Sequence, residues 1–298
     1  MPVSGPIPEQ LLTIVAAATV FAVMFDLGLG IVLREFRWVL QHPGLILRGL
    51  FAVLVAVPVL ALVVVRAFDL PRGVEIGIVL MAIAPGAPVA LRRSLGAGGH
   101  RAFAPALQIL VALLAVVSMP LTIAALNQLY SGKASLDPRD VARQVFLAQL
   151  LPLGLGIVVR QLAPRITARA EPILRRLATL LLPLLVMLVL IDIAPAIMGT
   201  RSGVAIAIVL LTALAAGTGH ARGGPHSATR TAVAVCAAAR NPGLALLVAT
   251  LNAAPPGVVA TIFAYLVFSF LTLIPYVAWS RRRGGGLESA ESAGPRDS

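Results

Sequence analysis

The chain has 298 residues, of which 59% are hydrophobic and only 12% charged, and its formal net charge is +12. Soluble domains carry about 25% charged residues, so this chain has too little polar surface to cover a globule in water. The basic residues lie between apolar runs, and no basic stripe with interleaved aromatic residues is present, which excludes a nucleic-acid-binding protein. The composition predicts an integral membrane protein.

Nine apolar segments follow one another along the chain, each near the roughly 17–25 residues that cross a bilayer as a helix. We label them A to I, and they cover residues 11–33, 44–65, 74–91, 102–126, 141–159, 173–198, 203–217, 228–251 and 258–279. Segment A is too long for a signal peptide and no basic region precedes it, so we expect it to be retained. The predicted fold is an all-α membrane protein of about nine transmembrane helices. It has an N-terminal extracytoplasmic stub (1–10), a transmembrane domain (11–280, with halves 11–126 and 141–280) and a disordered cytoplasmic tail (281–298).

Basic residues are distributed unequally between the predicted loops. With the N-terminus outside, the inner loops hold fifteen basic residues and the outer loops six. The six outer ones are Arg66, Arg72, Lys133, Arg139, Arg143 and Arg201. Because basic residues favour the cytoplasmic side, we expect a multi-pass protein of the plasma (inner) membrane, with its N-terminus outside and its C-terminus in the cytoplasm.

Two of the nine segments are interrupted by proline and glycine. Segment C breaks at Pro85 and Gly86, and segment H breaks at 240–243. Such a break leaves peptide groups unpaired, which at membrane depth is tolerated only against protein or a water-filled cavity. Each break lies in the penultimate segment of its half, and the two segments enter from opposite sides. The pattern predicts an inverted repeat whose two broken helices hold a ligand near the midplane. Ordinary proline kinks are the alternative.

Several short motifs, taken in order, resemble the bile acid:sodium symporter family. The stretches at 24–29, 34–36 and 43–44 resemble the opening of that family, 84–87 resembles its Pro-Gly-Gly, and 240–245 resembles its Gln-Asn-x-x-Leu-Ala. The resemblance covers nearly the whole chain and is to a divergent, bacterial-type member. It implies a core domain with the crossing helices, a panel domain of the other spans, an organic-anion substrate and, since one N-terminal span is missing, nine helices.

The positions that the resemblance assigns to sodium binding depart from the family. The Ser-Asn pair is replaced by Ala90 and Leu91, the hydroxyl residues by positions near Gln108, Val111 and Ala112, the Glu by Cys236 and the Gln by Arg240. Only Gln108, and Asn241 next to Arg240, still offer a side-chain oxygen. The guanidinium of Arg240 repels a cation. We therefore expect no sodium coupling.

The candidate substrate-binding residues are grouped around the two breaks. They are Arg240, Asn241, Pro85, Gly86 and Gln108. A charge within a span is expensive and marks a functional site by default, so we expect Arg240 to hold an anionic substrate; snorkelling to an interface is the alternative. Asn241 either touches the substrate or bonds the backbone that the break frees.

The carboxylates within the spans are candidates for proton coupling. Asp26 lies in segment A and Asp192 in segment F, and either can carry a coupled proton or instead pair with an arginine or a headgroup. Arg92 and Arg93 are expected to be ordinary inner-loop charges, and a ring around the inner mouth is the alternative. The lone Cys236 is expected to be a packing residue, and no metal site is expected.

The sequence predicts a secondary transporter for a small organic anion, embedded in the lipid bilayer, without sodium coupling and without a cofactor. No H-E-x-x-H or G-x-S-x-G motif is present, so an enzyme is not expected. An ion channel or a non-transporting ligand sensor on the same scaffold is the alternative. The substrate, the direction of transport, the coupling ion and the oligomeric state do not follow from the sequence.

Overall fold

The structure, a computed structural model, describes residues 9–30, 41–129, 136–165, 202–255 and 257–292, together with 167–169, 171–174, 176–177 and 180. The regular structure of these residues is helical. The helices are α1 (Glu9–Leu29), α2 (Pro43–Phe51), α3 (Val57–Phe68), α4 (Arg72–Ile83), α5 (Pro88–Gly96), α6 (Phe103–Leu129), α7 (Pro138–Val145), α8 (Leu151–Leu162), α9 (Ser202–Arg222), α10 (Ser227–Ala238), α11 (Pro242–Leu251) and α12 (Val258–Ser292).

Within the described residues, six helical stretches are long and apolar enough to cross a membrane. They are Pro43–Phe68, Phe103–Gln128, Pro138–Leu162, Ser202–Arg222, Ser227–Leu251 and Val258–Arg283. A shorter apolar helix covers Ala17–Leu29. The prediction of an all-helical membrane protein is confirmed. The number of nine spans and the inverted repeat stay predictions. Most of segment F, including Asp192, lies outside the described residues.

Two of these stretches contain a π-helical turn immediately before a proline-bearing helix: π1 (Ala52–Ala56) and π2 (Phe146–Leu150). In π1 the Val57 N–H bonds the carbonyl five residues earlier, at Ala52. The next donor in that register would be residue 58, which is proline and has no N–H. The carbonyl of Val53 is therefore left without its helical donor.

The broken stretch Ser227–Leu251 lies at the centre of the molecule. Among the 18 most apolar consecutive residues of this stretch 94% are buried, against 33–44% in the other five stretches. α10 packs on α9, while α11 packs on α1, which also packs closely on α8. The centre of the fold is thus the place where the helix is interrupted.

The C-terminal helix differs from the predicted tail. α12 continues through Arg281 to Ser292, into the segment expected to be disordered. Extending an existing helix is easier than starting one, because the costly nucleation step has already been made. Leu287, Glu288 and Ala290 are also good helix formers.

Candidate functional site

The two predicted breaks are present, and they touch each other. α4 ends at Ile83 and α5 begins at Pro88, while α10 ends at Ala238 and α11 begins at Pro242. The backbone N–H of Asn241, in the second break, donates to the carbonyl of Ala84, in the first, at 3.0 Å. Each break thus supplies a hydrogen-bond partner for a peptide group that has no helical partner in the other break.

Gly86 sets the course of the first break. Its φ is +82°, in the left-handed region that residues with a Cβ adopt at a cost. A Cβ at this position would also lie 3.3 Å from Nε2 of Gln149. The turn therefore needs glycine for its backbone conformation and for its close approach to π2.

Two glutamine side chains serve the carbonyls of the first break. Gln108 donates from Nε2 to the Ala87 carbonyl at 3.0 Å, and Gln149 donates from Nε2 to the Pro85 carbonyl at 3.4 Å. The Cys236 thiol donates to Oε1 of Gln108 at 3.7 Å. Both ends of the Gln108 amide are thus used inside the protein, which stabilises the break.

Asn241 caps the helix that follows it. Its Oδ1 accepts the Leu244 N–H at 3.1 Å, one of the donors that the first turn of a helix leaves open. Its Nδ2 is buried and has no partner among the described residues. The backbone role that the sequence left open is therefore present, and one amide donor remains unused.

Arg240 is buried beside both breaks, with 4% of its surface exposed. Its Nη1 and Nη2 donate to the Val53 carbonyl at 3.1 and 3.2 Å. This carbonyl lacks its helical donor because residue 58 is proline. Within the described part of the chain the guanidinium forms no ion pair, and its Nε has no partner. A buried charge without a counterion costs several kcal/mol, so the site holds positive charge that an anion would stabilise.

The positions compared with sodium ligands are packing positions here. Ala90 and Cys236 are buried, and Leu91 is half-buried against the hydrophobic core. The described residues contain no group of three or more His, Cys, Asp or Glu side chains placed to hold a metal ion.

Asp26 is connected to the helix that follows the first break. Its Oδ2 accepts from Nη2 of Arg92 at 3.1 Å. Asp26 is largely buried, whereas the Arg92 side chain is 46% exposed. The next residue, Arg93, lies over the ring of Phe270 at 3.8 Å. The ion pair joins α1 to α5 near the end predicted to be inside, and proton coupling at Asp26 stays a prediction.

Sequence reasoning missed two parts of the site. Gln149 was a polar residue within apolar segment E, which is itself a signal of a buried role. The acceptor on Val53 had only an indirect signal, the proline five residues later. The breaks, Gln108, Arg240 and Asn241 were predicted, whereas Gln149 and the Val53 carbonyl, which pair with them from other helices, were not.

The sequence profile described as Sodium Bile acid symporter family matches residues 17–218, more than half of the chain. The chain belongs to the sodium bile acid symporter family. The resemblance found in the sequence is thereby confirmed, and the apolar helices agree with a multi-pass membrane protein of this family. The match ends before α10, so it includes the first break and Gln108 but neither Arg240 nor Asn241.

A curated relative is the "Uncharacterized sodium-dependent transporter YocS" of Bacillus subtilis (strain 168). The two sequences are 24% identical over 148 residues, which are 50% of this chain and 45% of that protein. The chain thus matches less than half of the length of its relative. Sodium dependence is part of the name of that protein.

Proposed function

We propose that the protein is a secondary transporter for a small organic anion, working by alternating access and without sodium coupling. One observation carries the proposal: Arg240 places a buried guanidinium, without an ion pair among the described residues, beside two broken helices in direct contact. The family supplies the class of protein, and this charge supplies the class of substrate.

The donors around the second break favour an anion. Nε of Arg240 and Nδ2 of Asn241 are buried and unused within the described residues. α5 and α11 begin at the breaks, and helix N-termini attract negative charge. A carboxylate at this place would accept hydrogen bonds from donors that already exist and would neutralise the guanidinium.

The same charge opposes a sodium ion at the crossing. Two like unit charges about 4 Å apart repel by about 4 kcal/mol at an effective dielectric constant near 20. The positions compared with the sodium ligands, Ala90, Leu91 and Cys236, supply no oxygen to offset that repulsion. We infer that the positive charge of Arg240 replaces the charge of a bound cation. A cation therefore need not be bound and released in each transport cycle.

Alternating access requires α1 to separate from α5 at the inner end. The Asp26–Arg92 ion pair holds the two helices together there. Protonation of Asp26 would remove the negative charge and weaken this contact, which is how a proton would couple to opening. The same proposal includes three further points: the N-terminus lies outside, the protein is located in the plasma membrane, and Asp192 has a role in proton coupling.

A thermal-shift screen tests the proposed substrate site. The purified protein is heated with carboxylates ranging from hexanoate to cholate, in parallel with Arg240→Gln and with Arg48→Gln, which removes the same charge from an exposed position on α2. We expect a carboxylate that stabilises the wild type and the Arg48 variant but not the Arg240 variant. Equal stabilisation of all three proteins would remove Arg240 from the site.

Flux and current measurements on proteoliposomes separate the alternatives. Transport without unitary currents is expected. Unitary currents would identify an ion channel, and binding of the carboxylate without flux would identify a ligand sensor.

A further inference from the structure

A cavity lies apart from the two helix breaks. It has a volume of about 350 Å³ and lies between α1, the α7–π2 stretch and the outer half of α11, at the end predicted to be outside. Most of its wall is apolar and comes from Ala17, Phe21, Leu147, Ala148, Leu247 and Leu251. Three polar residues complete it: Asp140, Arg143 and Gln144. An apolar cavity of this size with a few polar groups is typical of small-molecule sites.

Arg143 makes the polar part of this cavity cationic. It is exposed, and among the described residues it forms no ion pair. The helix that carries it continues through π2 and α8 to Leu162, so Arg143 lies near the positive N-terminal end of one long helix rather than at a negative C-terminal end. Asp140, in the first turn, already faces that positive end. The charge of Arg143 is the one left to be balanced.

Gln144 adds a neutral donor next to this charge. Its Oε1 accepts from Nδ2 of Asn252 at 3.0 Å, and the same Nδ2 also donates to the Val248 carbonyl at 2.8 Å. Because its oxygen is engaged, the group that Gln144 has left for a ligand is the N–H₂ of its amide. Arg143 and Gln144 both line this cavity, so the guanidinium and the amide N–H₂ can each donate to an oxygen of one carboxylate.

The cavity is separated from the two helix breaks by a contact between α1 and α11. A Cβ on Gly243 would lie 2.5 Å from a methyl group of Val20, so the two helices touch there without space for a larger side chain. The cavity wall includes Phe21, the residue after Val20, and Leu247, one turn beyond Gly243. The cavity and Arg240 are thus on opposite sides of this contact.

We propose that this cavity is an outer binding site for a singly charged, amphipathic carboxylate, with Arg143 and Gln144 binding the carboxylate and the apolar wall holding its body. A single charge is preferred because Asp140 lies in the same wall and would repel a second one. The inference rests on the proposed transport of organic anions, for which this site would receive the substrate before α1 and α11 separate.

Binding of 1-pyrenebutyrate to the full-length protein in nanodiscs of zwitterionic lipid tests the proposal. Arg143→Gln should weaken binding at least about tenfold, since a charge-assisted hydrogen bond to the carboxylate is lost. Arg139→Gln, which removes the same charge one turn away outside the cavity, should change it less than twofold. Asp140→Asn should strengthen binding, and Leu251→Trp, at an exposed wall position, should weaken it by filling space.

Three results would overturn this site. They are the absence of 1-pyrenebutyrate binding to the wild type, equal weakening by the Arg143 and Arg139 variants, and binding of the neutral 1-pyrenebutanol as strong as that of the carboxylate. Equilibrium binding needs no flux. Binding that depends on Arg143 in a protein that transports nothing would therefore keep the site and reject the transporter, and the reverse pattern would reject only the site.

Discussion

Replacing Asn241 separates its two roles at the second break. In Asn241→Ala the side-chain acceptor of the Leu244 N–H is lost, while the backbone bond to Ala84 can remain. Leu244 is fully buried, so its N–H cannot form a hydrogen bond with water instead. A lost cap costs about 0.5–2 kcal/mol and a buried unsatisfied donor about 1–3 kcal/mol. We expect the variant to be less stable by about 1–3 kcal/mol.

Thermal unfolding in detergent measures this loss. For chains of this size about 1 kcal/mol corresponds to roughly 2–4 °C, so Asn241→Ala should unfold several degrees below the wild type. Asn241→Ser and Asn241→Asp keep an acceptor and should stay close to the wild type. An alanine variant as stable as the wild type would refute the capping argument.

The same variants test the charge at the break. Asn241→Asp places a carboxylate next to Arg240 in sequence, where it would supply the negative charge that the substrate is proposed to bring. We expect the aspartate variant to fold and to lose most anion flux. Asn241→Ser lacks only the amide donor, so its flux reports whether Nδ2 contacts substrate. Wild-type flux in the aspartate variant would contradict the proposed use of the Arg240 charge.

Three further predictions follow from the geometry. Gly86→Ala should destabilise the protein by about 1–3 kcal/mol, because its φ of +82° disfavours a Cβ; unchanged unfolding would contradict the required turn. Asp26→Asn and Arg92→Gln should each speed hydrogen exchange in α5, and the double variant should add little to either, since both remove one contact; additive effects would mean the pair is not the contact that matters. His100 accepts the Phe103 N–H on Nδ1, and burial and neighbouring histidines lower the pKa of His100. Its stabilising contribution should be complete above the unfolded pKa of about 6.5 and decline as the pH falls below that value. His100→Asn should flatten this part of the stability–pH curve.

The positions of the breaks followed from local chemistry, and so they could be predicted. Adjacent proline and glycine at 85–86 and 242–243 favour a helix break, and the structure has helix ends at Ile83 and Ala238. The contact between the breaks is a matter of tertiary packing. Spacing along the chain suggested it, but only the Asn241–Ala84 bond shows it.

The partners of the polar residues could not be predicted to the same degree. Arg240 was expected to hold substrate, yet its two Nη atoms reach a carbonyl on π1. That acceptor depends on the register of a π-helical turn, which the proline at 58 permits but does not dictate. Gln149 serves the first break from a helix more than sixty residues away in sequence, and no local pattern specifies such a pairing.

Sodium-free flux is the most direct test of the central claim, that a fixed guanidinium at the crossing helices replaces a coupled sodium ion. Proteoliposomes are prepared with potassium or choline as the only cation besides protons on both sides, and uptake of the carboxylate found in the thermal-shift screen is followed. The account predicts uptake equal to that in sodium buffer, and its loss in Arg240→Gln. Uptake that requires a sodium gradient, or that persists in Arg240→Gln, would contradict it.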